Sequence, residues 1–431
     1  MTTIKPLWIK YSLFNTLELV LTRAGDTFIS LILLWFLPIE LFSKFSIAQA
    51  FIAPLLLFYI APETILYKVY NTWIQDTQES FQSKILALRS FSWLKGLITL
   101  FLAIVLSFVV PLNEHKLHTF IIFIWAFALH TSAHLYSTDR EFLRLALKFG
   151  ELNFITCYQK LVFIMGTLLC VLVFNKNIIS FAIMGVFAAI SSALIAKYIV
   201  DKNLFIKQSY KKQNLKQKSK IIFEIVKSFS FWQHLSGIIQ NWVQTMDLFV
   251  LGIFGFPIRT VGLYAAILKL ANFSYMIPMT LSNTFLVWIG RRSKEALEQE
   301  KKILSRGTVW LIMTNILQFF LFLILAPFII KIFSHGRWSG EEQSLMFNWI
   351  KWILGGAVLF SSCFLFSSWL MVRDNVYKVF IKIYLPWGVA SLVVYSSAAY
   401  FGGLKWVAIA NVPVALIFCV NLLRIRHIES N

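Results

Sequence analysis

Five polar residues recur three and four positions apart within one apolar stretch: Gln233, Ser236, Gln240, Gln244 and Asp247. On a helix that spacing lines all five along one face, while Leu235, Ile238, Ile239, Trp242, Val243 and Leu248 occupy the others. Such a stripe either edges a water-lined cavity or hydrogen-bonds neighbouring helices together. A second set near the N-terminus, Asn15, Glu18, Thr22 and Asp26, repeats the pattern, with Arg23 three residues before Asp26 and within its reach. An arginine there either neutralises the acid or holds an anionic group with its planar fork of donors. Lys160, and Lys269 with Asn272, place further cationic and amide groups inside apolar runs. A charge at the centre of a bilayer costs about 2.5 to 3.5 kcal/mol on insertion scales, so such residues face a bundle interior or a wet cavity.

Other chemistries find no support. His130 and His134 stand four apart, but no third ligand lies near them in sequence, so they read as packing or interfacial residues and neither a metal nor a cofactor is expected. The patterns GxSxG, HExxH, Walker A and GxGxxG do not occur, which argues against an enzyme and against ATP coupling within the chain.

The elements that must position these residues follow from composition. Of 431 residues, 58% are hydrophobic and 14% charged, against about 45 to 50% and about 25% in soluble domains. The apolar residues come in runs of about 18 to 25, the length that crosses about 30 Å of hydrocarbon as helix. Stretches such as LITLFLAIVLSFVV are apolar all round, which a barrel strand is not. The fold class is therefore an all-α integral membrane protein with about 12 transmembrane helices. A net charge of +20 invites a nucleic-acid reading, but the charges follow topology. The termini and the basic segments around residues 68–95, 140–148, 202–220, 291–306 and 373–382 hold about 27 Lys and Arg, and the intervening loops hold about six. That asymmetry predicts cytoplasmic termini and no nucleic-acid partner. The run Lys207 to Lys220 is also suited to anionic lipid headgroups.

The second half echoes the first. GDTFISLILLWFLP (Gly25 to Pro38) is similar to MDLFVLGIFGFP (Met246 to Pro257): an acid opens the outer half of a span and a proline closes it. Two pseudo-repeated six-helix bundles are expected, residues 1–200 and 224–431, joined by a basic cytoplasmic linker at 201–223.

The segment QNWVQTMDLFVLGIFGFPIRTVGLYAAILKLANFSYMIPMTLSNTF (Gln240 to Phe285) carries a resemblance. With its Asp247, Gly262, Tyr264, Ala265, Ala266 and Pro278, and more weakly Asp26, Phe45 and Ala48 earlier, the chain resembles the Wzx-type O-antigen flippases. Those belong to the polysaccharide-exporter branch of the multidrug, oligosaccharidyl-lipid and polysaccharide (MOP) superfamily. The resemblance implies two bundles around a central cavity that opens alternately to each side, in the bacterial inner membrane. It also implies a role in polysaccharide or lipopolysaccharide biosynthesis: moving a polyprenyl-diphosphate-linked oligosaccharide from the cytoplasmic to the outer leaflet, in company with other glycan-assembly membrane proteins. A diphosphate and a glycan need cations and amides, which Arg23, Lys160, Gln240, Gln244, Lys269 and Asn272 offer as substrate-binding candidates. Asp26 and Asp247 are candidates for binding a coupling proton or sodium ion. The alternative is a drug or metabolite cation antiporter of the same fold, in which the acids would meet the cargo directly.

Overall fold

A computed structural model describes residues 4–58, 66, 70, 72–110, 112, 115–203, 223, 231–275, 278, 281–282, 297–373 and 376–429. Among these residues the structure is helix and connecting turns, with no strand. The helices are α1 (Ile4–Phe36), α2 (Ile39–Ile52), α3 (Gln78–Val109), α4 (Lys116–Leu135), α5 (Ser137–Leu145), α6 (Phe149–Leu172), α7 (Ile178–Asn203) and α8 (Phe231–Val243). They continue as α9 (Met246–Ile253), α10 (Ile258–Ala271), α11 (Leu297–Ser334), α12 (Gly340–Ser362), α13 (Phe364–Arg373), α14 (Val376–Val379) and α15 (Leu385–Glu429). Most of the linker expected at 201–223 lies outside the described residues, as do parts of the expected spans 40–67 and 261–290.

Six stretches among the described residues are long and apolar enough to cross a membrane: Ser80–Val109, Phe149–Leu172, Ile178–Asn203, Lys301–Ser334, Gly340–Leu370 and Val376–Arg424. The last contains a hairpin, because Gly403 turns the chain at φ 66°, ψ −161° inside α15, a conformation that a side chain at Cβ disfavours. Other spans are built from shorter pieces. Pro38 parts α1 from α2, and a turn at Thr245 (φ −128°, ψ 5°) parts α8 from α9. No Pro or Gly marks that second break. Instead the Thr245 hydroxyl and amide both donate to the Trp242 carbonyl, at 3.2 and 2.9 Å, and so interrupt the helical ladder.

The chain forms two compact units, Met1–Thr22 with Pro54–Leu235, and Arg23–Ala53 with Ser236–Asn431. The expected lobes, 1–200 and 224–431, differ from this grouping at one point above all: residues 23–53 belong with the second unit, and the boundary falls inside the continuous helix α1. Close helix approach explains it. Gly262 of α10 sits against α2 so closely that an added Cβ would lie 2.6 Å from the Ile39 carbonyl oxygen and 3.2 Å from Ser43 Cβ. In the first unit, α7 packs on α4 and α6 through a buried run of small residues, Gly185, Ala188, Ala189, Ser192, Ala193 and Ala196. In the second, α12 packs on α15, where a Cβ at Gly356 would meet the Asn411 carbonyl oxygen at 2.5 Å.

Candidate functional site

The turn at Thr245 decides how the stripe of polar residues is used. Gln233 to Gln244 lie on α8 before or at the break, and Asp247 lies on α9 beyond it, so the five do not share one straight helical face. Ser236 and Asp247 are buried, whereas Gln233, Gln240 and Gln244 are half-buried. The expectation that all five line one face of a single helix is corrected accordingly, because the turn at Thr245 separates Asp247 from the other four.

Asp247 is 1% exposed and its oxygens are held separately. One accepts from the Leu248 amide at 2.8 Å and the other from the Tyr264 hydroxyl at 2.8 Å. Tyr264 in turn accepts from the side-chain amide of Asn411 at 3.1 Å, and Asn411 accepts from the Tyr395 hydroxyl at 3.0 Å. The Asn411 NH2 group also points at the Val407 and Ala408 carbonyls, at 3.3 and 3.2 Å. Carbonyls only accept, so they fix which end of the amide is nitrogen. The chain of hydrogen bonds therefore has a direction, with Tyr264 obliged to donate to Asp247.

This chain ends at a cavity in the second unit with about 30 Å³ open to the centre of a water molecule. Gln244, Asn272, Asn411 and Tyr395 give it amides and a hydroxyl, and Tyr275, Phe360 and Trp387 give it aromatic walls. Phe360 and Trp387 stack with centroids 4.9 Å apart. Two of the substrate-binding candidates, Gln244 and Asn272, thus meet in one place. Lys269 stands one turn before Asn272 on α10 and donates to Gln49 of α2 at 3.0 Å, with the half-buried Asp26 near enough to act on its charge. Gln240 is half-buried on α8 and is not part of the cavity wall. The side chain of Arg23 lies outside the described residues.

The first unit holds a different polar interior. Lys160 is buried on α6, next to Gln159, which accepts from the Tyr136 hydroxyl at 2.6 Å. Nearer one end of the unit, Arg89 of α3 pairs with Asp139 of α5 at 2.5 Å and with Asp201 of α7 at 2.7 Å. Arg144 pairs with Glu141 at 2.5 Å and with Glu18 of α1 at 2.8 Å. Sequence spacing missed these partnerships, since Arg89 and Asp139 are 50 positions apart and Glu18 and Arg144 are 126 apart. The one local signal was the polar run Ser137 to Glu141, whose Ser137, Thr138, Asp139 and Glu141 are all buried. Among the described residues no three His, Cys, Asp or Glu side chains gather as a metal site, and the His134 side chain lies outside them.

No family model matches the chain, and comparison with curated proteins gives no significant match. Solved structures do match. A mutant of the Vibrio cholerae MATE transporter VcmN is 12% identical, covers 98% of this chain and 97% of its own, and superposes with a TM-score of 0.69. An inward-facing multidrug resistance MATE family transporter of the MOP superfamily is 14% identical over 95% of this chain and 96% of its own, with a TM-score of 0.68. The lipid II flippase MurJ, in an inward closed conformation, is 16% identical over 97% of this chain and 87% of its own, with a TM-score of 0.67. The chain is an all-helical, multi-pass membrane protein with the fold of MOP-superfamily transporters.

Proposed function

We propose that this protein is a flippase that carries a polyprenyl-diphosphate-linked oligosaccharide from the cytoplasmic to the outer leaflet of a bacterial inner membrane by alternating access. The observation that carries the proposal is the placement of lysines within the helical interior of both units: Lys160 buried on α6, and Lys269 one turn from the cavity residue Asn272. An anionic headgroup accounts for cations in these positions, and a cationic drug would be repelled by them. The amides of Gln244, Asn272 and Asn411 supply donors and acceptors for glycan hydroxyls. Shared fold with a lipid II flippase supports a lipid-linked cargo. Asp247, and Asp26 beside Lys269, are proposed to bind the coupling proton or sodium ion, and the positive-inside asymmetry supports cytoplasmic termini.

A second reading, a cation antiporter, is favoured by the buried carboxylate of Asp247 near aromatic walls and by the MATE neighbours. One experiment separates the two. The purified protein in proteoliposomes is given a fluorescent undecaprenyl-diphosphate hexosamine and, separately, ethidium under proton and sodium gradients. Movement of the lipid-linked reporter that falls at least tenfold in Lys269→Gln supports the flippase. Gradient-driven ethidium transport with no movement of the lipid would replace it by the antiporter.

A further inference from the structure

Residues 23–53 come first in sequence yet pack with the second unit, and polar contacts reinforce that attachment at one end. Arg259, at the start of α10, donates to Glu342 of α12 at 2.8 and 3.3 Å and to Glu40 of α2 at 3.1 Å. Its guanidinium also reaches the Arg337 carbonyl at 3.3 Å. Arg337 itself donates to the carbonyls of Leu34 and Leu37 at 2.9 and 3.0 Å, which lie at the C-terminal end of α1 where a helix leaves acceptors unfilled. Beside them the rings of Trp35 and His335 meet edge-on with centroids 3.8 Å apart. Three turns are thereby fastened at one place: 37–40, 254–259 and 335–342. Glu342 is held ready for this, because it closes a capping box with Ser339, at 2.8 and 3.1 Å, at the start of α12. The hydrogen bonds that Arg259 donates to Glu342 and then to Glu40 hold the pKa of its guanidinium above the ordinary value.

From this arrangement we propose that Arg259, Glu40, Glu342 and Arg337 form a reversible latch. It closes the face of the membrane bearing these turns, and it must release α1's outer half and α2 for that face to open. The inference rests on the alternating-access reading. Exposure fits the role: Arg259 is 47% and Glu40 44% exposed, and an exposed ion pair biases an equilibrium by no more than about fivefold. Several such contacts together hold a closed face, yet none is a buried pair that would trap it. Below the latch, Ser43 packs on Gly262, and one turn further along the same face the Ser46 hydroxyl is buried with no hydrogen-bond partner among the described residues. Opening the latch would bring that surface to water.

The test uses the full chain with Cys157, Cys170, Cys363 and Cys419 replaced by alanine, and Ser46→Cys as reporter. A hydrophilic maleimide is added to the purified protein in detergent micelles. The parent should react slowly in about 0.01 M salt; Arg259→Gln, which loses two pairs, should speed the reaction about three- to tenfold, and Glu342→Gln, which loses one, about two- to fivefold. Raising salt to about 1 M, where the screening length falls to about 3 Å, should bring the parent and Glu342→Gln, which keeps the Arg259–Glu40 pair, to the rate of Arg259→Gln and leave Arg259→Gln unchanged. Arg259→Lys should fall between. If Arg259→Gln does not fold, the salt response of the parent and Glu342→Gln decide the matter. Equal rates in parent and variants at both salt concentrations would overturn the latch. Labelling requires no cargo, so failure of the lipid-linked reporter to move would leave this result standing, and a static latch would leave the cargo assay standing.

Discussion

The two units solve the problem of polar groups in an apolar interior in opposite ways. In the first, full charges meet full charges: Arg89 answers Asp139 and Asp201, and Arg144 answers Glu141 and Glu18. In the second, one buried carboxylate is held by a neutral chain of hydroxyls and an amide that runs to a cavity. Matched ion pairs spend their interactions on each other and fix helices in place. A neutral chain around a single acid leaves its charge unmatched by a cation, and under the proposed function that contrast would separate framework from working part.

The largest effect should come from the framework. Leaving one buried partner uncompensated costs about 3 to 5 kcal/mol, so Arg89→Gln or Asp139→Asn should lower the thermal midpoint of the purified protein sharply. The double substitution should recover part of the loss. If each single change altered the midpoint no more than an exposed ion pair does, about 1 kcal/mol or less, the cluster would not be structural.

Asp247→Asn ranks next and should separate stability from coupling. Asparagine keeps the shape of the side chain and still accepts from Tyr264 through one oxygen, so the expected destabilisation is about 1 kcal/mol, the worth of a neutral hydrogen bond. The parent's midpoint should rise with sodium or shift with pH, according to which ion couples, and the variant should show neither response. A variant that retained the parent's response would remove Asp247 from the ion site.

How much of this contrast could be read from the chain depends on the range of each interaction. Helical spans and the polarity of their interiors are local, and length and composition exposed them. The meeting of Gln244 with Asn272 was also within reach, since Gln244 precedes α9 and Asn272 follows α10, at the two ends of neighbouring helices that lie away from the turn joining them. The break at Thr245 was hidden because a threonine that bonds back to a carbonyl leaves no Pro or Gly to mark it. Glu18 and Asp26 lie on one helix as their spacing implied, yet Glu18 pairs with Arg144 in the first unit while Asp26 belongs to the second. Helical periodicity sets a direction around an axis and cannot name the partner. The 147 positions between Tyr264 and Asn411 put that contact beyond any spacing rule.

The smallest effect, and the sharpest test of the neutral chain, lies at its two hydroxyls. Tyr395→Phe removes the outermost bond, but Asn411 remains oriented by the Val407 and Ala408 carbonyls, so Tyr264 still receives its hydrogen bond and still donates to Asp247. Tyr264→Phe deprives the acid of that donor and leaves it with the Leu248 amide. Both changes remove a phenolic hydroxyl of equal size, and each should alter stability by only about 0.5 to 1.5 kcal/mol. Their ion responses should diverge: Tyr395→Phe should keep the parent's sodium- or pH-dependent midpoint shift, and Tyr264→Phe should lose most of it. If the two variants respond alike, the direction imposed at Asn411 has no bearing on Asp247, and the cavity and the acid act separately.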